Sequence, residues 1–239
     1  MSCVRVKLIN KPGVTMVTSH LCFWFLVGVT SLLLARNVCD GCSCKMSHPQ
    51  AHFCSADFVV LAKVKSLGKS HDSYKSYDIR LKKEFKMTKK ARQALSHGLI
   101  WTATYDSLCG VSLNRTKYVI TGGVNGEKPW LSSCNYFKEW SALSRKQRKA
   151  FRKLYQHGCG CRIISFSRHM FGQGLGPDGL HYCPWQTFRE EMLDCQGLHS
   201  VCIRDPKNDS TCKWLPNRMY KRCMKRRQKW LEREKQREP

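Results

Sequence analysis

Fifteen cysteines in 239 residues constrain this chain more than any other feature, and their number is odd. A cysteine-rich chain is built either around metal-bound thiolates or around disulfides, and spacing helps to separate the two. Cys42-Ser43-Cys44 and Cys159-Gly160-Cys161 each enclose one residue, whereas a single tetrahedral zinc is served by C-x₂-C, and no matching His pair follows. Disulfides are therefore expected. They require an oxidising compartment and, if every cysteine is paired, an even count.

The first 41 residues supply both conditions. Arg5, Lys7 and Lys11 precede the 15-residue apolar run Leu21 to Ala35, LCFWFLVGVTSLLLA. A basic start followed by a run shorter than a membrane-spanning helix is the pattern of a secretory leader. Met1 and Met16 are alternative starts. Cleavage after Ala35 is one option; cleavage after Gly41 is the one that restores parity, because removing Cys3, Cys22 and Cys39 leaves twelve cysteines, enough for six bridges. The sequons Asn114-Arg115-Thr116 and Asn208-Asp209-Ser210 suit an exported glycoprotein.

The formal charge is +25, and it stays at +22 without the leader, which carries Arg5, Lys7, Lys11, Arg36 and Asp40. Such a balance favours polyanionic surroundings, and outside the cell these are glycosaminoglycans or anionic surfaces rather than nucleic acid. The sequence contains no G-x-S-x-G, H-E-x-x-H, P-loop or G-x-G-x-x-G. Without those constellations, and with every thiol expected in a bridge, no enzymatic activity and no cofactor are expected.

Beyond Cys54, short runs alternate with period two: Phe58 to Val64, Tyr74 to Phe85, and Tyr118 to Thr121 before Gly122-Gly123. These predict half-buried strands. Lys89 to His97 predicts a short helix that ends at Gly98, with Ala91, Ala94 and Leu95 on one side. A stronger helix is predicted over Ser141 to His157, capped by Ser141 or Ser144 and stopped by Gly158, with Leu143, Ala150, Phe151 and Leu154 as its apolar stripe. Its opposite face, Arg145, Lys146, Arg148, Lys149, Arg152 and Lys153, is read as solvated. After Cys159 the chain becomes loop-rich, with a glycine-rich stretch at Gly172 to Gly179, and a domain boundary is expected near residue 160. Met219 to Pro239 forms a frayed or helical basic tail.

The segment most informative about function is Cys42-Ser43-Cys44-Lys45-Met46-Ser47-His48-Pro49-Gln50-Ala51-His52-Phe53-Cys54-Ser55-Ala56-Asp57. This C-x-C-x₃-H-P-Q-x₃-C-x₂-D run resembles the opening of the tissue inhibitors of metalloproteinases. Tyr118-Val119-Ile120-Thr121-Gly122 is similar to a late strand of that family, Trp140 to Cys159 to its Trp-led helix, and Val201-Cys202-Ile203 and Thr211-Cys212-Lys213-Trp214 to its C-terminal signatures. The resemblance spans most of residues 42 to 214.

It implies a mainly β fold with packed helices, of the α+β class. Residues 42–160 would form an OB-like five-stranded barrel, the netrin-type module. Residues 161–223 would be a small disulfide-rich subdomain, and 224–239 a basic tail behind the signal peptide 1–41. The implied bridges are Cys42 with Cys109, Cys44 with Cys134 and Cys54 with Cys159. Landmarks further suggest Cys183 with Cys202 and Cys161 with Cys212, leaving Cys195 with Cys223; sequential pairing of the last six is the alternative. Cys195 and Cys223 are extra relative to the vertebrate pattern, and Met46 stands where the family often has Pro.

The implied function is secreted inhibition of zinc metalloproteinases, either matrix metalloproteinases or their disintegrin-type relatives, by a monomer. A free amine and the carbonyl of Cys42 would chelate the zinc of the target. Ser43, Cys44, Lys45 and Met46 would line its cleft on one side, and Ser107, Leu108 and Cys109 on the other. The competing reading is a non-inhibitory netrin-type module of the extracellular matrix. Lys221, Arg222, Lys225, Arg226, Arg227 and Lys229 would either hold sulfated glycosaminoglycan or only keep the tail soluble.

Overall fold

The computed structural model describes residues 41–166, 182–187 and 191–237, so residues 1–40 of the leader and the Gly172 to Gly179 stretch lie outside the described residues. The fold is sheet-rich α+β and is laced by six disulfides.

Helix α1 (Pro49–Ser55) leads into two long strands, β1 (Phe58–Ser70) and β2 (Tyr74–Met87). β1 outruns its predicted strand because the alternation of buried residues ends near Val64 while the hairpin continues into solvent through Lys65–Ser70, and β2 outruns its own by Lys86 and Met87, which pair with Val59 and Phe58. Next come α2 (Lys89–Ala94), a 3₁₀ turn (Leu95–His97), β3 (Leu99–Ala103), β4 (Lys117–Asn125), β5 (Lys128–Trp130) and β6 (Phe137–Glu139). Gly98 closes the turn at φ 66°.

β1 pairs with both β2 and β4, β2 with β3, β3 in parallel with β5, and β5 with β4, so the pairings of five strands close on themselves. Register shifts along β1 and β2 supply the extra coiling that such closure needs. Phe58, Val60, Ala62, Val64, Ile79, Ile100, Ile120 and Leu131 fill the inside. Val59 and Val119 point the other way and are covered by Phe53, Leu143, Phe151 and Tyr155.

Apart from Phe53 of α1, that cover comes from the Trp140 to Cys159 segment, which is less regular than predicted. The helix proper, α3 (Arg145–Lys149), starts one residue after Ser144, whose side chain accepts from Gln147 N while the Gln147 amide oxygen accepts from Ser144 N. This capping box leaves Ser141 and Leu143 outside the helix. A π turn (Ala150–Leu154) and a 3₁₀ turn (Tyr155–Gly158) follow. The wider turn keeps Phe151 and Tyr155 on one face, edge to face at 5.0 Å.

The cysteine-rich remainder consists of the parallel pair β7 (Arg162–Phe166) and β8 (Tyr182–Gln186), α4 (Cys195–His199), the antiparallel pair β9 (Cys202–Asp205) and β10 (Asn208–Trp214), and α5 (Arg218–Arg237). It is fastened to α1 by the buried Gln50. Gln50 Nε2 donates to Gly158 O (3.0 Å) and Cys202 O (2.7 Å), and its Oε1 accepts from Cys202 N (2.9 Å). Among the described residues no helix is long and apolar enough to cross a membrane.

Candidate functional site

Residues 42–47 form a segment without regular structure, exposed from Ser43 to Met46 and half-buried at Cys42 and Ser47, yet it is anchored twice. Cys42 is bridged to Cys109 and Cys44 to Cys134, each with Cα atoms 5.0 Å apart. The four sulfurs lie within 4.8 Å of one another, and Ser133 Oγ is 3.2 Å from Cys42 Sγ. Four sulfurs so close could suggest a metal centre. Both pairs are oxidised, so no thiolate is available as a ligand. The same holds for Cys161, Cys202 and Cys212, which belong to the bridges Cys161–Cys212 and Cys183–Cys202.

The loops that receive the bridges are themselves tightly held. A 3₁₀ turn (Asp106–Leu108) ends in Cys109, which at φ 61° is the one non-glycine residue with positive φ among the described residues. Cys109 N donates to Asp106 O (3.0 Å) and Gly110 N to Tyr105 O (3.0 Å). A Cβ on Gly110 would press on the backbone of Ala103 and Tyr105, so the loop can turn back over β3 only with glycine there. Ser133 N donates to Cys109 O (2.9 Å), and Asn135 Oδ1 accepts from Ser132 N (2.8 Å), which fixes the Cys134 loop beside it.

These loops bring together what the sequence keeps far apart. Ser43 is exposed between the two bridged cysteines, Lys45 and Met46 continue the edge, and Ser107 and Leu108 stand on the neighbouring loop. Seven large hydrophobic side chains are exposed among the described residues, and three of them, Met46 (62%), Leu108 (57%) and Tyr105 (57%), flank this knot. Exposed apolar side chains concentrated around a doubly bridged edge are the composition of a protein-docking surface. Tyr105 was not singled out from sequence, although its place two residues before Ser107 is a sufficient signal.

The edge is also tied to the interior. His48 caps α1, its Nδ1 accepting from Gln50 N (3.1 Å) and its Nε2 donating to Gln196 O (3.1 Å), while its ring lies 5.5 Å from Trp185 and 5.1 Å from Trp214. Those two bonds fix the neutral Nε2–H tautomer. Complete burial pushes its pKa down to about 4. His52 is likewise lowered by burial.

The basic tail is a helix, α5. Lys221, Arg222, Lys225, Arg226 and Lys229 are exposed on it. Arg227 differs from the expectation: it is 4% exposed and turned inward with Cys223, which is bridged to Cys195. Residues 223 and 227 are one helical turn apart, so the bridge that docks the helix buries both. Asn114 is exposed in the loop before β4, whereas the side chain of Asn208 lies outside the described residues. Cys54 is bridged to Cys159, closing α1 onto the end of the helical segment.

Comparison with known proteins adds to this geometry. The family model described as "Tissue inhibitor of metalloproteinase" matches residues 40–214. The chain is similar to "Tissue inhibitor of metalloproteinase" of Drosophila melanogaster, 31% identical over 194 residues, covering 77% of this chain and 87% of that protein. It is also similar to "Metalloproteinase inhibitor 3" of Scyliorhinus torazame, 31% identical with 79% and 87% covered. With "Metalloproteinase inhibitor 3" of Gallus gallus the identity is 35%, with 74% and 82% covered.

Proposed function

The chain belongs to the tissue inhibitor of metalloproteinase family, and from that premise we propose that it is a secreted, monomeric inhibitor of zinc metalloproteinases and not an enzyme. Residues 1–41 are its signal peptide, and Cys42 begins the mature protein. We read the closed strand pairings as the OB-like barrel of a netrin-type module over 42–160, with 161–223 as the small subdomain.

The observation that carries the reading is the doubly bridged edge at Cys42 and Cys44. A metalloproteinase zinc is held by three protein ligands and leaves one position for water. The α-amine of Cys42, with a reference pKa of about 7.7 to 8.0, has a neutral fraction at physiological pH. That nitrogen and the Cys42 carbonyl oxygen take the water's place on the zinc of the target, and hydrolysis loses its nucleophile. Ser43 enters the pocket next to the metal, where a small hydroxyl fits many shapes. Lys45 and Met46 follow along the cleft, with Ser107, Leu108 and Cys109 opposite.

Two bridges remove the ordering cost of this edge before it meets a target, which raises affinity without a large contact area. No peptide bond precedes Cys42 in the mature chain, so the edge is not cut. The exposed cations of α5 give a second, weaker surface for sulfated matrix polysaccharide.

The test is chemical. Protein that starts at Cys42 inhibits a matrix metalloproteinase one to one, and a form carrying one extra N-terminal residue, equal in melting temperature, does not. Equal inhibition by both forms refutes chelation through the amine.

A further inference from the structure

The two bridges at the edge touch each other. Cys42 Sγ lies 3.8 Å from Cys44 Sγ, and Cys109 Sγ lies 3.7 Å from Cys134 Sγ, although the bonds run from Cys42 to Cys109 and from Cys44 to Cys134. Each sulfur therefore has one bonded partner and, in contact, one sulfur of the other bridge. A thiolate opens a disulfide by attacking one sulfur and leaves its charge on the other. Here the thiolate released from one bridge is already beside the next disulfide.

Access separates this cluster from a second one. None of the four cysteines is buried, and Ser43, Lys45 and Ser133 around them are exposed. Cys161, Cys202 and Cys212 also hold their sulfurs within 4.8 Å of one another, in the bridges Cys161–Cys212 and Cys183–Cys202. Cys161, Cys183 and Cys202 are buried, so an external thiol meets the edge and is kept from this second cluster.

Ser133 adds a chemical reason. Its Oγ lies 3.2 Å from Cys42 Sγ and 3.7 Å from Cys44 Sγ. A disulfide sulfur is a poor acceptor, whereas a thiolate is a charged one, so the Ser133 hydroxyl donates most strongly once Cys42 carries the charge. The Lys45 ammonium, next to Cys44 in the chain, favours the approach of an anionic thiolate.

We propose that these paired bridges are a thiol–disulfide exchange site, at which a low-molecular-mass thiol converts the anchored edge into a released isomer bridged Cys42–Cys44 and Cys109–Cys134. The incoming thiolate bonds to Cys44 Sγ, the Cys44–Cys134 bond breaks, and the electron pair leaves on Cys134 Sγ. That thiolate bonds to Cys109 Sγ, the Cys42–Cys109 bond breaks, and the pair leaves on Cys42 Sγ, where Ser133 donates to it. Cys42 then bonds to Cys44 Sγ and expels the original thiolate. Two bonds have broken and two have formed, nothing is oxidised or reduced overall, and the thiol is a catalyst.

The new Cys109–Cys134 bridge joins loops that Ser133 N to Cys109 O (2.9 Å) already holds side by side. Residues 42–47 lose both ties to those loops and regain backbone freedom, which favours the isomer. The proposal rests on the inhibitory reading above only for its effect: an edge no longer ordered in advance binds a metalloproteinase more weakly.

The experiment treats mature protein and Ser133→Ala with substoichiometric glutathione near neutral pH, alkylates free thiols, and maps bridges by unreduced tryptic digestion and mass spectrometry. In untreated protein the peptide Cys42 to Lys45 is joined to both the Cys109 and the Cys134 peptides. After treatment it is expected as an internally bridged peptide, with the Cys109 and Cys134 peptides joined to each other, no rise in alkylated cysteine beyond the added thiol, and the other four bridges unchanged. Ser133→Ala, with the same starting bridges and melting temperature, should rearrange roughly tenfold more slowly, the worth of a hydrogen bond to a thiolate. Alkylated Cys44 or Cys134 without the new linkages overturns the proposal in favour of simple reduction. Rearrangement of Cys161–Cys212 as fast as the edge overturns it in favour of general scrambling, and equal rates in the two proteins overturn the part given to Ser133. The linkages are mapped without a protease target, so a failure of zinc chelation leaves this readout intact; where chelation holds, inhibition falls in proportion to the isomer.

Discussion

Acidification should loosen the join between the doubly bridged edge and the cysteine-rich part, and His48 sets the size of the effect. In the native protein His48 is 1% exposed and neutral, with its one N–H on Gln196 O and its bare Nδ1 receiving Gln50 N–H. Protonation would place a second N–H against that donor. The native pKa is about 4, against 6.5 for the unfolded chain. Between those values the unfolded state binds more protons, so stability is full above pH 6.5 and is lost progressively as pH falls to about 4. A shift of two and a half units at 1.36 kcal/mol each gives a loss of about 3 kcal/mol. Lowered pKa values at His52 and His199 act in the same direction, and burial of Asp194, which raises its pKa, acts in the opposite one. The comparison must therefore be with His48→Gln, in which those groups remain. Urea unfolding of the two proteins with bridges intact, from pH 7.5 to pH 4, should show the advantage of the native protein shrinking by about 3 kcal/mol. A proton titration of the His48 ring near pH 6.5, or a difference between the two proteins that does not vary with pH, refutes the reasoning.

Gln50→Leu removes all three bonds of the buried amide. Gly158 O keeps its bond from Cys161 N (3.0 Å), so the main cost falls on Cys202 N, which Gln50 Oε1 serves; a loss of about 2 to 4 kcal/mol is expected in the same urea assay, and one below about 0.5 kcal/mol would contradict the clasp. Opening the Cys195–Cys223 bridge with a double Ser variant frees a 28-residue separation, for which loop entropy gives about 3 to 4 kcal/mol. Limited trypsin digestion should then cut first within α5 while inhibition persists; cleavage elsewhere first would show that the helix is docked without the bridge.

Much of the fold is written locally, and the exceptions are instructive. β1 and β2 were legible because alternation from Phe58 to Val64 and from Tyr74 to Phe85 reports one buried face. β5 and β6, three residues each, carry no period that could reveal them, and they exist because β4 offers partners to both. The π turn at Ala150–Leu154 has no local sequence signal either; it follows from the need to bury Phe151 and Tyr155 together. Long-range polar ties were equally silent: Gln50 reaches residues 108 and 152 positions away, and His48 reaches one 148 away. The parity of the cysteines was legible by counting, while their partners came only through the resemblance. Arg227 was read as one more tail cation because charge was weighed without geometry; its place one turn from Cys223 is what turns it inward.

The same geometry separates two jobs that composition had merged. The docking edge depends on bridges spanning 67 and 90 residues, which hold residues 42–44 against two loops of the strand-rich part. The family match ends at Trp214, and α5 begins at Arg218. That helix is fastened by Cys195–Cys223. A helix beyond the match, held by a bridge of its own and touching mainly α4 and the 3₁₀ turn at Glu191–Leu193, can change in charge or length without moving the edge.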